Sequence, residues 1–482
     1  MRARILSSIT NEQHRKWWTL AAVSFGLFMI MLDNTIVNVA LPSIERDLHM
    51  TVSNLEWVVT AYALSFAALL ITGGKLGDFY GRRRMFVLGL VIFTGSSLAC
   101  GLAPNAGFLI GARAVQGAGS ALMNPATLSI ITATFEPKER GRAIGIWAGV
   151  SAMALSIGPL LGGIIVDNLN WNWIFFVNVP VGIAGIVVSQ IVIRESRDTS
   201  AEQSIDFPGL ATSGLGLLAL CYALIEGNRH GWASGEIIGL FAAAVVLLAA
   251  FVLVERHQRL PMLDLSLFRN TTFAGANTVA MLVTLGMFGV FFFVSLYVQN
   301  ILGYSPTRAG AVFLPMTVLI TLIAPVAGNL SDKIGSRWLM GTGMALLGIG
   351  GLFWLRIGLH SSYWTLLPPM VIGGVGMAIT MSPMTSAAMQ SVPIDKAGVG
   401  SGVLNSFRQV GGSLGIALMG AILASYAAAS SAPRAVQAQS FVNGLHAALV
   451  ASACIAFAGS IVALTTVHAT RRRAAPVPAE GV

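Results

Sequence analysis

The sequence predicts an all-α polytopic membrane protein, and three observations carry that prediction. Of 482 residues, 55% are hydrophobic and only 10% charged, with a mean hydropathy of +0.75, whereas soluble domains are about a quarter charged. The apolar residues gather in windows of about 20, the length that carries a helix across hydrocarbon. The basic residues, finally, fall mainly in alternate loops.

Fourteen windows follow one another: 17–40, 54–75, 85–104, 107–133, 142–166, 173–193, 207–226, 236–255, 272–300, 309–330, 338–358, 363–388, 397–425 and 443–467. With the N-terminus in the cytoplasm, 22 of the 29 Lys and Arg lie on the cytoplasmic side, 5 outside and 2 within spans. This is the positive-inside pattern, and it requires an even number of spans. The net charge of +9 is therefore a topology signal with contact to anionic membrane lipids as a by-product, and no nucleic-acid partner is expected. The expected location is the cell inner (plasma) membrane, multi-pass, with both termini cytoplasmic. The first span is too long for a signal-peptide core and lacks a small-residue cleavage site. Cys100, Cys221 and Cys454 all fall in spans and read as small apolar packing residues, without a disulfide or metal set.

The polar stretch "RESRDTSAEQS" at 194–204 and the break at Glu255–Arg259 set off two helices from six on either side. The expected divisions are 1–196, 197–260, 261–470 and a cytoplasmic tail at 471–482. The flanking sets resemble each other. "GKLGDFYGRRR" at 74–84 returns as "GNLSDKIGSRW" at 328–338, an offset of 254; "QGAGSALMNP" and "GGVGMAITMSP" align Gly117 with Gly374, an offset of 257. Two landmarks at nearly one offset indicate an internal duplication, the way many transporters build a site at a repeat interface.

In the first of these strings Gly74 and Gly77 let backbones approach and Gly81 permits a tight turn. Asp78 is placed to pair with Arg82 or to sit against a neighbouring helix N-terminus, contacts of roughly 0.3–1 kcal/mol when exposed and thus of a size to latch a gate. The plainer reading is a basic stop signal. The string, with its weaker copy at Asp332, Gly335 and Arg337, resembles the cytoplasmic-loop motif of the major facilitator superfamily. "ALSIGPLLGG" in the fifth span is similar to that superfamily's antiporter motif at Gly158, Pro159, Gly162 and Gly163, with Ala154 where the pattern has an earlier glycine. Pro159 frees one helix hydrogen bond and the glycines remove side chains, which gives close packing and a pliable point.

"LDNTIVNVALP" from Leu32 resembles the first-span motif of the fourteen-helix drug:proton antiporters, a likeness extended by "FRQVGGSLG" at 407–415. It implies a major facilitator fold of two six-helix bundles with two helices inserted between them. The implied activity is proton-coupled export of amphipathic cationic or neutral drugs by alternating access. A dedicated exporter of one endogenous metabolite or lipid-like solute is the alternative. The energy source is then the proton gradient, with no cofactor or metal, and the chain is expected to work as a monomer. No enzyme activity is expected, since neither a Walker string nor a catalytic or metal-ligand set occurs.

Asp33 is the residue of that motif that chemistry singles out. A charged side chain at the centre of a span costs roughly 2.5–3.5 kcal/mol, and a carboxyl group whose proton occupancy follows its hydration is what proton coupling requires. Its plain alternative is a permanent ion pair. Two arginines lie deep in spans, Arg113 in the fourth and Arg408 in the thirteenth; Arg113 matches Asp33 in depth and is the better-placed partner. For cargo, the polar candidates are Asn34, Asn38, Tyr62, Gln116, Gln299 and Arg408. Phe288, Met381 and Met384, with Met281, Met287, Met377 and Phe291–Phe293 nearby, supply soft repackable surface. Glu226, beside Gly227 at a helix end, is read as solvated.

Overall fold

The computed structural model describes residues 12–197, 206–258, 261, 263–392, 397–429 and 431–468. Arg2, Arg4 and the C-terminal run at 471–473 lie outside that range, as does the side chain of Asp332. Fourteen long helices account for nearly all of it. Helix α1 (Glu12–Asp47) is followed by α2 (Val52–Tyr80), whose N-cap Thr51 accepts from the Asn54 amide. Gly81, at φ +111°, turns the chain into α3 (Arg82–Gly101). Asn105 caps α4 (Ala106–Thr134), and Pro137 starts α5 (Pro137–Asn168). A helical turn at Trp173–Phe176 leads into α6 (Asn178–Val192).

The inserted pair is α7 (Phe207–His230), capped by Asp206, and α8 (Gly235–His257), capped by Ser234. Asn270 caps α9 (Thr271–Leu296), which loosens into a π-helical turn at Tyr297–Ile301. The tenth span comes in two pieces, Pro306–Val312 and α10 (Leu314–Ile334), because Pro315 cannot donate back across the break at Phe313. The chain ends with α11 (Ser336–Phe353), α12 (Tyr363–Gln390), α13 (Ala397–Ser425) and α14 (Arg434–Thr466).

Twelve of these helices are long and apolar enough to cross a membrane by composition alone among the described residues. The other two are α4, which carries Arg113, Gln116 and Asn124 among small residues, and α5, apolar in its second half at Ile157–Asn168. Both are long, at 29 and 32 residues. In α4 the charged and polar residues are buried against protein, where they are tolerated, whereas α5 turns Ile146, Met153, Ile157 and Ile164 outward. Helix α1 runs seven residues beyond the predicted end of its span, and α14 starts nine residues before its own.

The duplication reappears in the packing. In the first bundle α2 packs on α4, α3 on α4 and α6, and α1 on α5; in the second, α10 packs on α12, α11 on α12 and α14, and α9 on α13. Single contacts keep the same register. A β-carbon at Gly117 would fall on the Tyr62 carbonyl, and one at Gly374 on the backbone of Met316; Gly119 lies on Gly89 and Phe93, Gly376 on Gly343 and Leu347. These contacts, three in each bundle, repeat the offsets of 254 and 257 seen in the sequence.

The two bundles meet at the end of the molecule that holds the α1–α2 turn, here called the far end, opposite the basic end where Gly81 and Gly335 turn the chain. Ser295 donates to the Asn38 carbonyl at 2.7 Å, Gln299 to Val39 at 3.0 Å, and the Thr307 amide to Asp167 at 2.8 Å. Gly163 lies on the backbone of Pro306, and Gly310 on that of Pro159. Helix α7 packs against both α2 and α13, while α8 turns most of its surface outward.

Overpacking a close helix crossing costs about 1–3 kcal/mol. Gly117→Val and Gly374→Val are therefore expected to lower the thermal stability of detergent-purified protein by several degrees in a fluorescence-detected gel-filtration assay. Gly111→Ala, where a β-carbon meets nothing within 4 Å, is expected to leave it unchanged.

Candidate functional site

Asp33 on α1 and Arg113 on α4 meet inside the first bundle, each 1% exposed. Arg113 Nη1 donates to Asp33 Oδ2 at 2.5 Å and to Gln116 Oε1 at 2.7 Å, while Nε donates to the Val58 carbonyl of α2 at 3.1 Å. Gln116 completes the set by donating from Nε2 to Asp33 Oδ1 at 3.1 Å. Both carboxylate oxygens thus have a donor, and the guanidinium is held from three directions. Its carbon lies 4.3 Å from the centre of the Tyr62 ring, and the Tyr62 hydroxyl bonds to Ser120 Oγ at 2.8 Å. The pair is confined to one bundle. Breaking such a buried pair by removing one partner costs about 3–5 kcal/mol.

The sequence placed Arg113 here by depth. It marked Gln116 and Tyr62 as cargo handles, and the structure places both in the Asp33 network. A signal for Gln116 was present, since residues three apart on a helix share a face. Asn34 and Asn38, also buried, donate to backbone carbonyls of their own helix, at Ile30 and Asn34. Gln299 joins the bundles through Val39 and Ser295.

Arg408 stands apart, half buried on α13. It donates to Thr385 Oγ1 at 2.7 Å, its carbonyl accepts from Thr284, and no acidic partner is found among the described residues. Phe288 packs at Gly412, Met381 is half buried and Met384 wholly buried in the second bundle. A cavity of about 60 Å³ in that bundle is lined by Met287, Phe291, Met316, Met370 and Met377. It is far below the roughly 300–1,000 Å³ of a drug-sized pocket, so in this conformation it is packing slack around methionines.

At the basic end Arg82 donates through Nε and Nη2 to Asp78 Oδ1, at 3.0 and 2.9 Å. Of the two partners open to Asp78, the structure shows Arg82. The turn is held from outside by Glu195, which sequence reasoning missed: it accepts from the Arg83 amide at 3.0 Å and faces Arg83 and Arg84 at 3.8 Å. A β-carbon at Gly81 would strike this carboxylate, and Gly74 lies against Pro125 of α4. Lys75 donates to the Pro261 carbonyl, which ties the loop to the segment after α8. In the second copy Gly335 repeats the positive φ at +90°, Ser331 and Ser336 pair at 2.7 Å, and Arg337 rests on Trp338.

The glycines of α5 do what close packing requires. Gly158 lies against Thr35 and Gly162 against Ile36, just past Asp33; Pro159 and Gly163 face the Pro306–Val312 turn of the other bundle. Two sequence readings are corrected. Glu226 is 6% exposed, not solvated, because α7 is pressed onto α2 and its carboxylate accepts from Ser53 and Trp57. Cys454 is exposed on α14 rather than packed, while Cys100 and Cys221 are buried.

Two repeated helical bundles, a glycine-lined seam between them and a buried charge network beside that seam define a polytopic secondary transporter. A family model described as Major Facilitator Superfamily matches residues 23–416, and the chain belongs to that superfamily. It is 37% identical over 416 residues to the multidrug resistance protein Stp of Mycobacterium tuberculosis, covering 86% of this chain and 77% of that one. It is 36% identical over 461 residues to the puromycin resistance protein pur8 of Streptomyces alboniger, covering 94% and 91%. It is 35% identical over 417 residues to the tetracenomycin C resistance and export protein of Streptomyces glaucescens, covering 85% and 76%. Among solved structures, a bacterial homolog to the human lysosomal transporter Spinster, inward-facing and unoccupied, superposes with a TM-score of 0.67 at 18% identity, covering 94% and 97%. At that identity the likeness speaks for the fold.

Thermal stability is expected to fall most in Arg113→Ala, by the equivalent of about 3–5 kcal/mol. Arg113→Lys, a point charge without the guanidinium fork, is expected to be intermediate. Asp33→Asn keeps an acceptor oxygen but leaves the buried Arg113 charge uncompensated, and should lose nearly as much as Arg113→Ala. An Arg113→Lys variant as stable as the unaltered protein in a detergent melting series would show that charge alone, and not the fork, holds the three helices.

Proposed function

We propose that this transporter exports amphipathic cationic or neutral compounds from the cytoplasm in exchange for protons, with Asp33 as the group that takes up the proton. The carrying observation is the buried Asp33–Arg113–Gln116 network lying directly behind the seam glycines of α5. Antibiotic resistance and export in the names of the relatives support the direction and the cargo class.

On this reading the basic end is cytoplasmic, both termini lie inside, and the protein sits in the cell's plasma membrane. The far end is the outer side, so the closed seam makes this an inward-facing form. One chain contains both bundles and works as a monomer among membrane lipids. The proton gradient supplies the energy without a cofactor; one charge crossing 100 mV adds roughly 2.3 kcal/mol. When the outer side opens, water reaches the network through the α1–α5 contact. A proton arriving at Asp33 removes its attraction to Arg113, displaces cationic cargo and favours return to the inward-facing form. Loss of the proton to the cytoplasm restores the ion pair and readies the site for new cargo.

In proteoliposomes loaded with a lipophilic cationic dye such as ethidium, an imposed pH gradient is expected to accelerate transport by the unaltered protein. Asp33→Asn, checked for monodispersity, should retain gradient-independent exchange of the dye and lose the acceleration. Full acceleration in that variant would overturn the assignment.

A further inference from the structure

One buried carboxylate takes no part in the network above. Glu56 lies on the second turn of α2, 3% exposed, and no hydrogen bond reaches its carboxylate among the described residues. Across the seam Gly420 of α13 lies against it: a β-carbon there would fall on the Glu56 carboxylate. On the third side stands another acid. Glu226 of α7 accepts from Ser53 Oγ at 2.6 Å and from Trp57 Nε1 at 3.2 Å, residues of the same turns of α2, which brings a second acid close to Glu56.

The other titratable groups around Glu56 do not answer it. Arg229, 75% exposed, stands 3.7 Å from the second oxygen of Glu226, which accepts no hydrogen bond. His230 is turned to Glu236 at 2.8 Å, and Tyr222 rests its ring on Trp57. Within α13 the only titratable side chain is Arg408, twelve residues and about 18 Å along the helix. Within α4 it is Arg113, which is committed to Asp33. A carboxylate covered by a neighbouring helix, without a donor and close to a second acid, is costly to keep ionised.

We propose that Glu56 is an outward-facing proton site that licenses closure of the far end: α13 shuts over it only when it holds a proton taken from the outer solution. This rests on the reading of the far end as the outer gate of an exporter. On opening, Gly420 withdraws, water reaches Glu56 and the proton returns to the side it came from. The bond that forms and breaks is the carboxyl O–H, with water as the exchanging partner. Because the proton enters and leaves on one side, Glu56 sets the rate of gate closure and adds nothing to the number of protons carried per cargo. Glu226 gives the inserted helix α7 a part in the same step, since its charge decides how readily Glu56 keeps its proton.

The test reads the seam directly. Spin labels on cysteines replacing Arg46 and Ala427, both exposed at the far end, report its width by double electron–electron resonance in nanodiscs, in a Cys454→Ser background. Between about pH 6 and pH 9, a range that spans shifted carboxyl groups, the closed distance in the unaltered protein should lose population as pH rises. Glu56→Gln, neutral and of the same shape, should keep the closed population at the alkaline end. Glu226→Gln, which removes the neighbouring charge, should move the opening step to lower pH. A Glu56→Gln titration that superimposes on that of the unaltered protein overturns the proposal, and so does an unmoved step in Glu226→Gln. The distances need neither cargo nor a pH gradient, so failure of proton-driven export in vesicles is a separate result and leaves this test standing.

Discussion

The Asp33–Arg113 ion pair is the constraint around which the first bundle is built. Neither charge is tolerable alone at that depth, and the pair is tolerable only when its oxygens and nitrogens are answered by neighbours. That demand brings α1, α2 and α4 within hydrogen-bond reach of one another at one level. The register follows from it. Arg113 donates to the Val58 carbonyl, and one turn further along both helices Gly117 lies on the Tyr62 carbonyl. A larger residue at 117 would push α4 away from α2 and lengthen the bond one turn earlier. The glycine is thus part of the electrostatics, because it sets the distance at which the charges are compensated.

The same pair explains why the seam has to be so closely packed. Thr35 and Ile36 follow Asp33 on α1 and lie on Gly158 and Gly162; the next positions of α5, Pro159 and Gly163, lie on the leading turn of the tenth span. Two layers of backbone contact separate the ion pair from the second bundle. Close-packed layers do not deform gradually; they hold or they part. Parting this one admits water to a network that is otherwise dry, and hydration is what alters the protonation of a buried acid. Contiguity of this kind is a physical route for coupling.

Much of this was legible in the sequence, for reasons that differ by residue. Span number and inserted pair follow from composition, because hydrocarbon imposes a length and forbids unpaired backbone. The duplication was visible as two offsets, and those offsets are the register of the interhelical glycine contacts. Arg113 was reachable because depth is one-dimensional and few arginines compete. The role of Gln116 depends on which way a face points in three dimensions, and depth is silent on that. Glu195 stabilises a loop more than a hundred residues away, and Glu226 looks solvated until α7 is laid on α2; in both cases the partner lies on a helix whose placement no local pattern encodes. Glu56 was overlooked because it sits near a predicted span end, where an acid usually reaches water.

The inserted helices make the molecule lopsided, and that bears on how it can move. The two bundles repeat each other, but α7 and α8 have no counterpart and cover only one of the two seams. On the α5 side the bundles touch mainly through glycine and proline backbone, with the Thr307–Asp167 hydrogen bond at the rim. On the α2–α13 side α7 bridges them: Glu226 holds Ser53 and Trp57 of α2, while Asn228 donates to the Ala421 carbonyl of α13 at 2.7 Å. Parting the first seam loses small-residue packing and the Thr307–Asp167 bond. Parting the second requires α13 to leave Asn228 and uncover Glu56, or α7 to travel with it and leave Ser53. Both sides lose polar contacts on parting, but only on the α2–α7–α13 side does a helix outside the two bundles make them.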